Sequence, residues 1–219
     1  MFETVFRSLN QGFLVSLEIF ALTLLGAIPL GFIISFGSMS RCKLLQLPVK
    51  LIVWIVRGTP LMLQLLLIYY GPGLVLGNNI WGSGQSGRFI AAMVAFIFNY
   101  ACYFSEIFRG GIEGVPRGQK EAGQVLGMTD SQIFFKVTLM QVVKRIVPPL
   151  GNEVITLIKD TSLVRVIAVY ELMWNGQSFI KSGGIIWPLF STGLYYLIFS
   201  GLMTLLLGKL EKKLDYFKV

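Results

Sequence analysis

Residues 109–142 read RGGIEGVPRGQKEAGQVLGMTDSQIFFKVTLMQV, a polar stretch punctuated by glycine and proline and flanked by apolar runs. Its order is unusual for a simple linker. Gly110 and Gly111 are placed to end a preceding helix, and Pro116 restarts the chain. Gln119 to Leu126 then reads as a short helix with Ala122, Val125 and Leu126 on one side. Gly127 breaks it, and Thr129 or Asp130 can cap the helix that follows. A short helix bracketed by glycines and hung below a membrane bundle suits a knob for another protein's groove. The alternative is a solvated connector.

The flanking sequence sets the class. The chain has 219 residues, 54% hydrophobic and 14% charged, with a mean hydropathy of +0.70, and cannot be arranged around an ordinary soluble core. It reads as an all-α integral membrane protein. Phe13 to Phe36, interrupted only by Glu18, and Phe89 to Phe108, with Asn99 and Glu106, are each long enough to cross roughly 30 Å of hydrocarbon as a helix. Leu51 to Leu76, containing Arg57-Gly58-Thr59-Pro60, and Ile186 to Leu207 are two more spans. A fifth, Ile146 to Ile158, is only about 20 Å long at 1.5 Å per residue and holds Pro148-Pro149 and Glu153. It spans only by borrowing the amphipathic Ile133 to Val143. A broken or half-length helix of this kind is tolerated where its backbone is buried in protein or faces a watery cavity, which points to a pathway.

Five spans divide the 19 Lys and Arg residues unevenly. One side receives Arg41, Lys43, Lys50, Arg57, Arg109, Arg117, Lys120, Lys136, Lys144, Arg145, Lys209, Lys212, Lys213 and Lys218. The other receives Arg7, Arg88, Lys159, Arg165 and Lys181. The positive-inside rule then predicts a cytoplasmic loop after Phe108, a cytoplasmic carboxyl terminus and an external amino terminus. The net charge of +8 is mostly this topology signal, and basic residues scattered at membrane edges exclude a nucleic-acid surface. Met1 to Gln11 holds Glu3 and Arg7 in place of a basic cluster and lacks a cleavage pattern, so it is expected to be a short amphipathic arm. Cys42 and Cys102 are expected to be free thiols.

Glu153 and Asp160 are seven residues apart, which puts both carboxylates on one helical face. An acid near the bilayer midplane costs several kcal/mol unless paired or hydrated. Two on one stripe repel in an empty dry site and together hold a cation. Glu106 and Arg109, three apart, are expected to pair, and Arg57 has Glu106 or a lipid headgroup as its options.

The loop resembles the EAA motif of ABC importer permeases, with Glu121, Ala122 and Gly123, then Gly127, then Val137, Leu139 and Met140. Gly123 stands for the second Ala, and Met140 replaces a Pro, leaving that helix less bent than the pattern implies. The rest of the chain looks like the polar amino-acid uptake branch of that family. The matching residues are Arg57 to Leu61 with Gln64, Glu106 to Ile112, Pro116, Gly118-Gln119, and Pro148 to Asn152 running to Lys159-Asp160-Thr161-Ser162-Leu163. The resemblance runs from Gly12 to Leu210.

It implies a single MetI-like transmembrane domain over residues 1–219 with about five membrane helices and a coupling-helix loop at about 111–132, in a bacterial plasma (inner) membrane. Such a permease pairs with a second copy or a homologous permease, two cytoplasmic ATPase subunits and an extracytoplasmic solute-binding protein. Gly118, Glu121, Ala122, Gly123, Leu126 and Gly127 would form the coupling helix that docks on the ATPase. The chain has no G-x-x-x-x-G-K-[ST] loop, so ATP and Mg belong to that partner. It has no His and no nucleophile or metal pattern, and no enzyme chemistry of its own is expected. In this family an acid at the position of Glu153 looks like the mark of permeases for basic amino acids, arginine, lysine or histidine. The expected substrate contacts are Glu153 and Asp160, with Thr59 and the freed backbone amides around Arg57 to Thr59, Lys159, or the Thr161-Ser162 pair facing the ligand's carboxylate. Asp160 equally fits a helix cap. The competing readings are an importer of polar uncharged amino acids such as glutamine, a non-binding half of a heterodimer, and an ion-coupled secondary transporter or channel.

Overall fold

The computed structural model describes residues 2–82 and 84–214, and every regular element among them is helical. The order is α1 (Phe2–Ser38), α2 (Lys43–Gly58), α3 (Leu61–Leu76), α4 (Gln85–Glu113), α5 (Arg117–Val125) and α6 (Asp130–Ile133). A π-helical turn (Phe134–Thr138) leads into α7 (Leu139–Asp160). A 3₁₀ segment (Thr161–Ile167), α8 (Leu172–Gly183) and α9 (Trp187–Leu214) follow.

The core is built on α4, whose most apolar stretch is 61% buried against only 6% for that of α9. The largest interface joins α4 to α1, and the sequence of α1 says why. Thr23, Ala27, Gly31 and Ser35 recur at intervals of four and are all buried, so the second half of α1 presents a stripe of small side chains, while Gly12 and Ser16 meet the start of α8. Small residues let two membrane helices approach closely, where packing rather than hydrophobic transfer drives association. A Cβ on Gly31 would lie 2.8 Å from the Ala101 carbonyl oxygen and 2.9 Å from Phe104 Cβ. Gly31→Leu is therefore expected to cost roughly 1–3 kcal/mol through overpacking, read as a lowered melting temperature in detergent. A melting temperature equal to the parent's would mean that α1 and α4 are not locked at this point.

Three expectations are corrected. The apolar run Leu51 to Leu76 is not one continuous span: α2 and α3 meet at 107°. Thr59 precedes Pro60 and adopts φ −118°, ψ 146°, the extended backbone that a following proline imposes. Gln64 closes the break by donating from Nε2 to the Val56 carbonyl and to Thr59 Oγ1, both at 2.8 Å. Asn99 on α4 donates to Gln64 Oε1 at 3.0 Å. Second, Gly110-Gly111 does not end α4, which runs to Glu113 and stops at Gly114. Gly111 is buried because α4 passes Ile146 of α7 there. Third, the prolines do not break α7, which gains length from residues before Ile146 as expected. It continues through Pro148 and Pro149 to Asp160, although each proline removes one intrahelical donor.

Among the described residues, α1, α4 and α9 are long and apolar enough to cross a membrane, and the bent pair α2–α3 brings the number to four if the two together form one span. The expected five are thus not reached on length and composition, because α7 carries Lys144, Arg145, Glu153, Lys159 and Asp160. Its route through the bundle depends on shelter by protein: it packs on α4 and α9 and buries Gly151, Val154, Leu157 and Ile158.

Beyond α7, Glu171 is fully buried and caps α8, accepting from the Met173 and Trp174 amides at 2.7 Å each and from Tyr196 Oη at 3.2 Å. This carboxylate joins α8 to α9. Nothing in the local sequence pattern distinguished it.

Candidate functional site

The periodicity of α7 places Glu153, Leu157 and Asp160 along one face, and the buried Leu157 turns that face inward. Both carboxyl side chains are half-buried, and neither forms an ion pair among the described residues. Tyr100 of α4, itself only 2% exposed, donates from Oη to Asp160 Oδ2 at 2.7 Å. The side chain of Asp160 does not cap the 3₁₀ segment that it precedes. The Glu153 side chain makes no hydrogen bond among the described residues and lies two turns before Asp160 on the same helix. Two acids on one inward face, one held by a tyrosine and one free, can take up cationic groups without first breaking an internal salt bridge.

Next to this face is a second charged group. Arg109 grips Glu106 bidentately, Nε to Oε1 at 3.0 Å and Nη2 to Oε2 at 2.7 Å, and reaches Glu113 Oε2 at 2.6 Å. These are the expected one-turn neighbours, with Glu113 added. Arg57, at the end of α2, comes only within 3.6 Å of Glu106. Its guanidinium instead covers the Tyr103 ring, with 5.2 Å to the centroid.

The remaining predicted contacts separate. Thr59 is committed to the α2–α3 break: its hydroxyl donates to the Ile55 carbonyl at 2.9 Å while receiving Gln64. Lys159 and Ser162 are not brought to the acidic face. They line a cleft of about 340 Å³ with Met173, Thr192 and Tyr196, because Lys159 is 100° around the helix from Asp160. Ser162 Oγ donates to the Lys159 carbonyl at 2.8 Å. Tyr100 and Tyr103 were missed in the sequence. The only signal was their spacing of three on a helix facing the acids, invisible until α4 and α7 were known to be packed together.

The loop forms the short helix α5 between Pro116 and Leu126. Gly118, Glu121, Ala122, Leu126 and Gly127 are exposed, and Val125 and Leu126 keep 88% and 78% of their surface. Gly123 faces the other way. It is buried, and a Cβ there would lie 2.6 Å from Ile133 Cγ1. Gly127 turns the chain at φ +73°, a left-handed conformation that glycine adopts without steric cost. Thr129 then starts α6 in a capping box with Gln132. Lys120 meets Asp130 at 3.2 Å on the surface. The result is an exposed apolar patch on a short helix whose back is fixed to α6.

Comparison with known proteins gives this arrangement a context. Over 205 residues the chain is 32% identical to the arginine transport system permease protein ArtQ of Bacillus subtilis (strain 168), covering 93% of this chain and 91% of the relative. It is 33% identical over 211 residues to the L-cystine transport system permease protein TcyB of the same organism, covering 95% and 87%. A crystal structure of an amino acid ABC transporter with histidines superimposes with a TM-score of 0.86 at 30% identity, over 97% of this chain and 96% of that one. Residues 27–216 match the family model of the binding-protein-dependent transport system inner membrane component, and the chain belongs to that family of membrane permeases.

Proposed function

We propose that this chain is the permease subunit of an ATP-driven amino-acid importer whose preferred substrates are basic: arginine, lysine or histidine. The observation that carries the substrate class is the pair Glu153 and Asp160 on one inward face, neither in an ion pair among the described residues. A basic amino acid brings two positive groups, its α-ammonium and its side chain, to two carboxylates. A neutral amino acid satisfies only one and leaves the other desolvated without a partner, which is unfavourable. Similarity to ArtQ supports the basic reading, and similarity to TcyB favours a second reading in which the substrate is an uncharged polar amino acid.

In this reading the permease works as one of a pair, with two ATPase subunits below and a solute-binding protein above. The loop and carboxyl terminus lie in the cytoplasm and the amino terminus outside, in the sense of the Lys and Arg distribution. The helix α5 docks in a cleft of the ATPase through Val125 and Leu126, with Gly118, Glu121, Ala122 and Gly127 shaping its surface and Gly123 fixing it to α6. ATP-driven closure of the ATPase pair is then passed through α5, α6 and the π-helical turn to α7. The acidic face is thereby switched between inward and outward access. Thr59 holds the break between α2 and α3, and Lys159 and Ser162 take no part in the substrate site.

The test is ATP hydrolysis and uptake by the complete importer in liposomes, offered arginine, lysine, histidine, glutamine or glutamate. Responses confined to the cationic amino acids are expected. An equal response to glutamine would sink the basic reading and transfer selectivity to the binding protein.

A further inference from the structure

The substrate's carboxylate still needs a donor. The Thr59 hydroxyl is engaged at the break, and Lys159 and Ser162 line another cleft. Arg57 offers a side chain nearer the acidic face. A guanidinium carries five N–H donors, yet the Arg57 side chain makes no hydrogen bond among the described residues. Its 3.6 Å approach to Glu106 is too long for one, and Glu106 is already neutralised by two short bonds from Arg109. The side chain is 42% exposed and laid against the Tyr103 ring, so its planar fork is oriented and its edge is open.

That fork belongs to the same surface as the acidic face. Tyr103 lies 6.3 Å from Tyr100, ring to ring, and Tyr100 holds Asp160. Helices α4 and α7 run antiparallel, with Tyr100 meeting Asp160 and Gly111 meeting Ile146, so Tyr103 and the guanidinium over it lie from the level of Asp160 toward that of Glu153. Along α7, Glu153 and Asp160 are separated by about 10 Å at 1.5 Å per residue, a length of the same order as an extended arginine. We propose that Arg57 binds the substrate's α-carboxylate and Glu153 its α-ammonium, so that the two hold the zwitterionic head common to all α-amino acids. Asp160, steadied by Tyr100, meets the cationic side chain. This assignment rests on the proposed importer function and adds a division of labour to it: one end of the site recognises an amino acid, the other selects a basic one. Planar, bidentate recognition of a carboxylate is what distinguishes arginine from lysine in such a role.

The test is direct binding to the purified permease–ATPase complex without the binding protein, comparing arginine with agmatine, which is arginine lacking its carboxylate. Wild type is expected to prefer arginine about tenfold or more, the scale of one hydrogen bond to a charged group. Arg57→Gln should bring arginine down to the level of agmatine and leave agmatine binding where it was, whereas Asp160→Asn should weaken both. Equal weakening of both ligands by Arg57→Gln, or no effect on either, overturns the assignment. If Arg57→Gln does not assemble, Arg57→Lys supplies the reading, since it keeps the charge, loses the fork and should narrow the arginine preference. Failure of the parent reading looks different. Wild type would then bind glutamine as tightly as arginine, and Arg57→Gln must still weaken both of these and spare agmatine. Absence of any amino-acid binding by the wild-type complex overturns both.

Discussion

Replacing either carboxylate of α7 by its amide, Glu153→Gln or Asp160→Asn, is expected to lower arginine uptake about 30-fold or more, the effect of truncating one partner of a desolvated charge pair. The substitutions keep the shape of the side chain and remove only the charge. Tyr100, which donates to Asp160 at 2.7 Å, can donate equally well to the amide oxygen of Asn. Loss of packing is therefore not the cause of any defect, and both variants should co-purify with the ATPase subunits. The two should differ in breadth. Glu153→Gln acts on the head group and weakens every amino acid, whereas Asp160→Asn spares substrates with uncharged side chains. Arginine uptake at the wild-type rate in Glu153→Gln would remove Glu153 from the substrate path.

The second large effect is expected in α5. Gly123 is buried where α5 lies on α6, with room for no side chain before Ile133. Gly123→Leu should push α5 off its support and tilt Val125 and Leu126, at an overpacking cost of about 1–3 kcal/mol. The expected result is at least about a tenfold loss of substrate-stimulated ATP hydrolysis, with arginine binding by the permease retained. Adding Ile133→Ala, which clears the space, should restore part of the stimulation. A Gly123→Leu importer that is stimulated normally would show that the orientation of α5 is not set by this contact.

Much of the architecture was written in local pattern. The small-residue stripe of α1, the polar loop with its short helix, and the capping box at Thr129 all depend on near neighbours in the chain. Breaks were read less well. Leu51 to Leu76 is apolar enough for one span, and hydropathy alone does not weigh the backbone restriction that Pro60 places on Thr59. At Gly110-Gly111 and at Pro148-Pro149 the reverse happened: helix-breaking residues lie inside continuous helices, because tertiary packing overrides propensity. The acidic pair was legible from its spacing of seven. The tyrosines and the arginine beside it were not, since the contacts of Tyr100 with Asp160 and of Arg57 with Tyr103 join elements separated by 60 and 46 residues. Lys159 and Ser162 lie along a different cleft from the acids for a simpler reason. Proximity in sequence to Asp160 does not place them on its face.

The measurement closest to the central claim is a structure of the assembled permease–ATPase complex with arginine bound. The guanidinium of the ligand is expected within hydrogen-bonding distance of the Asp160 carboxylate, with its α-ammonium at Glu153. Arginine seated in the cleft of Lys159, Ser162 and Tyr196, or away from α7 altogether, would contradict it.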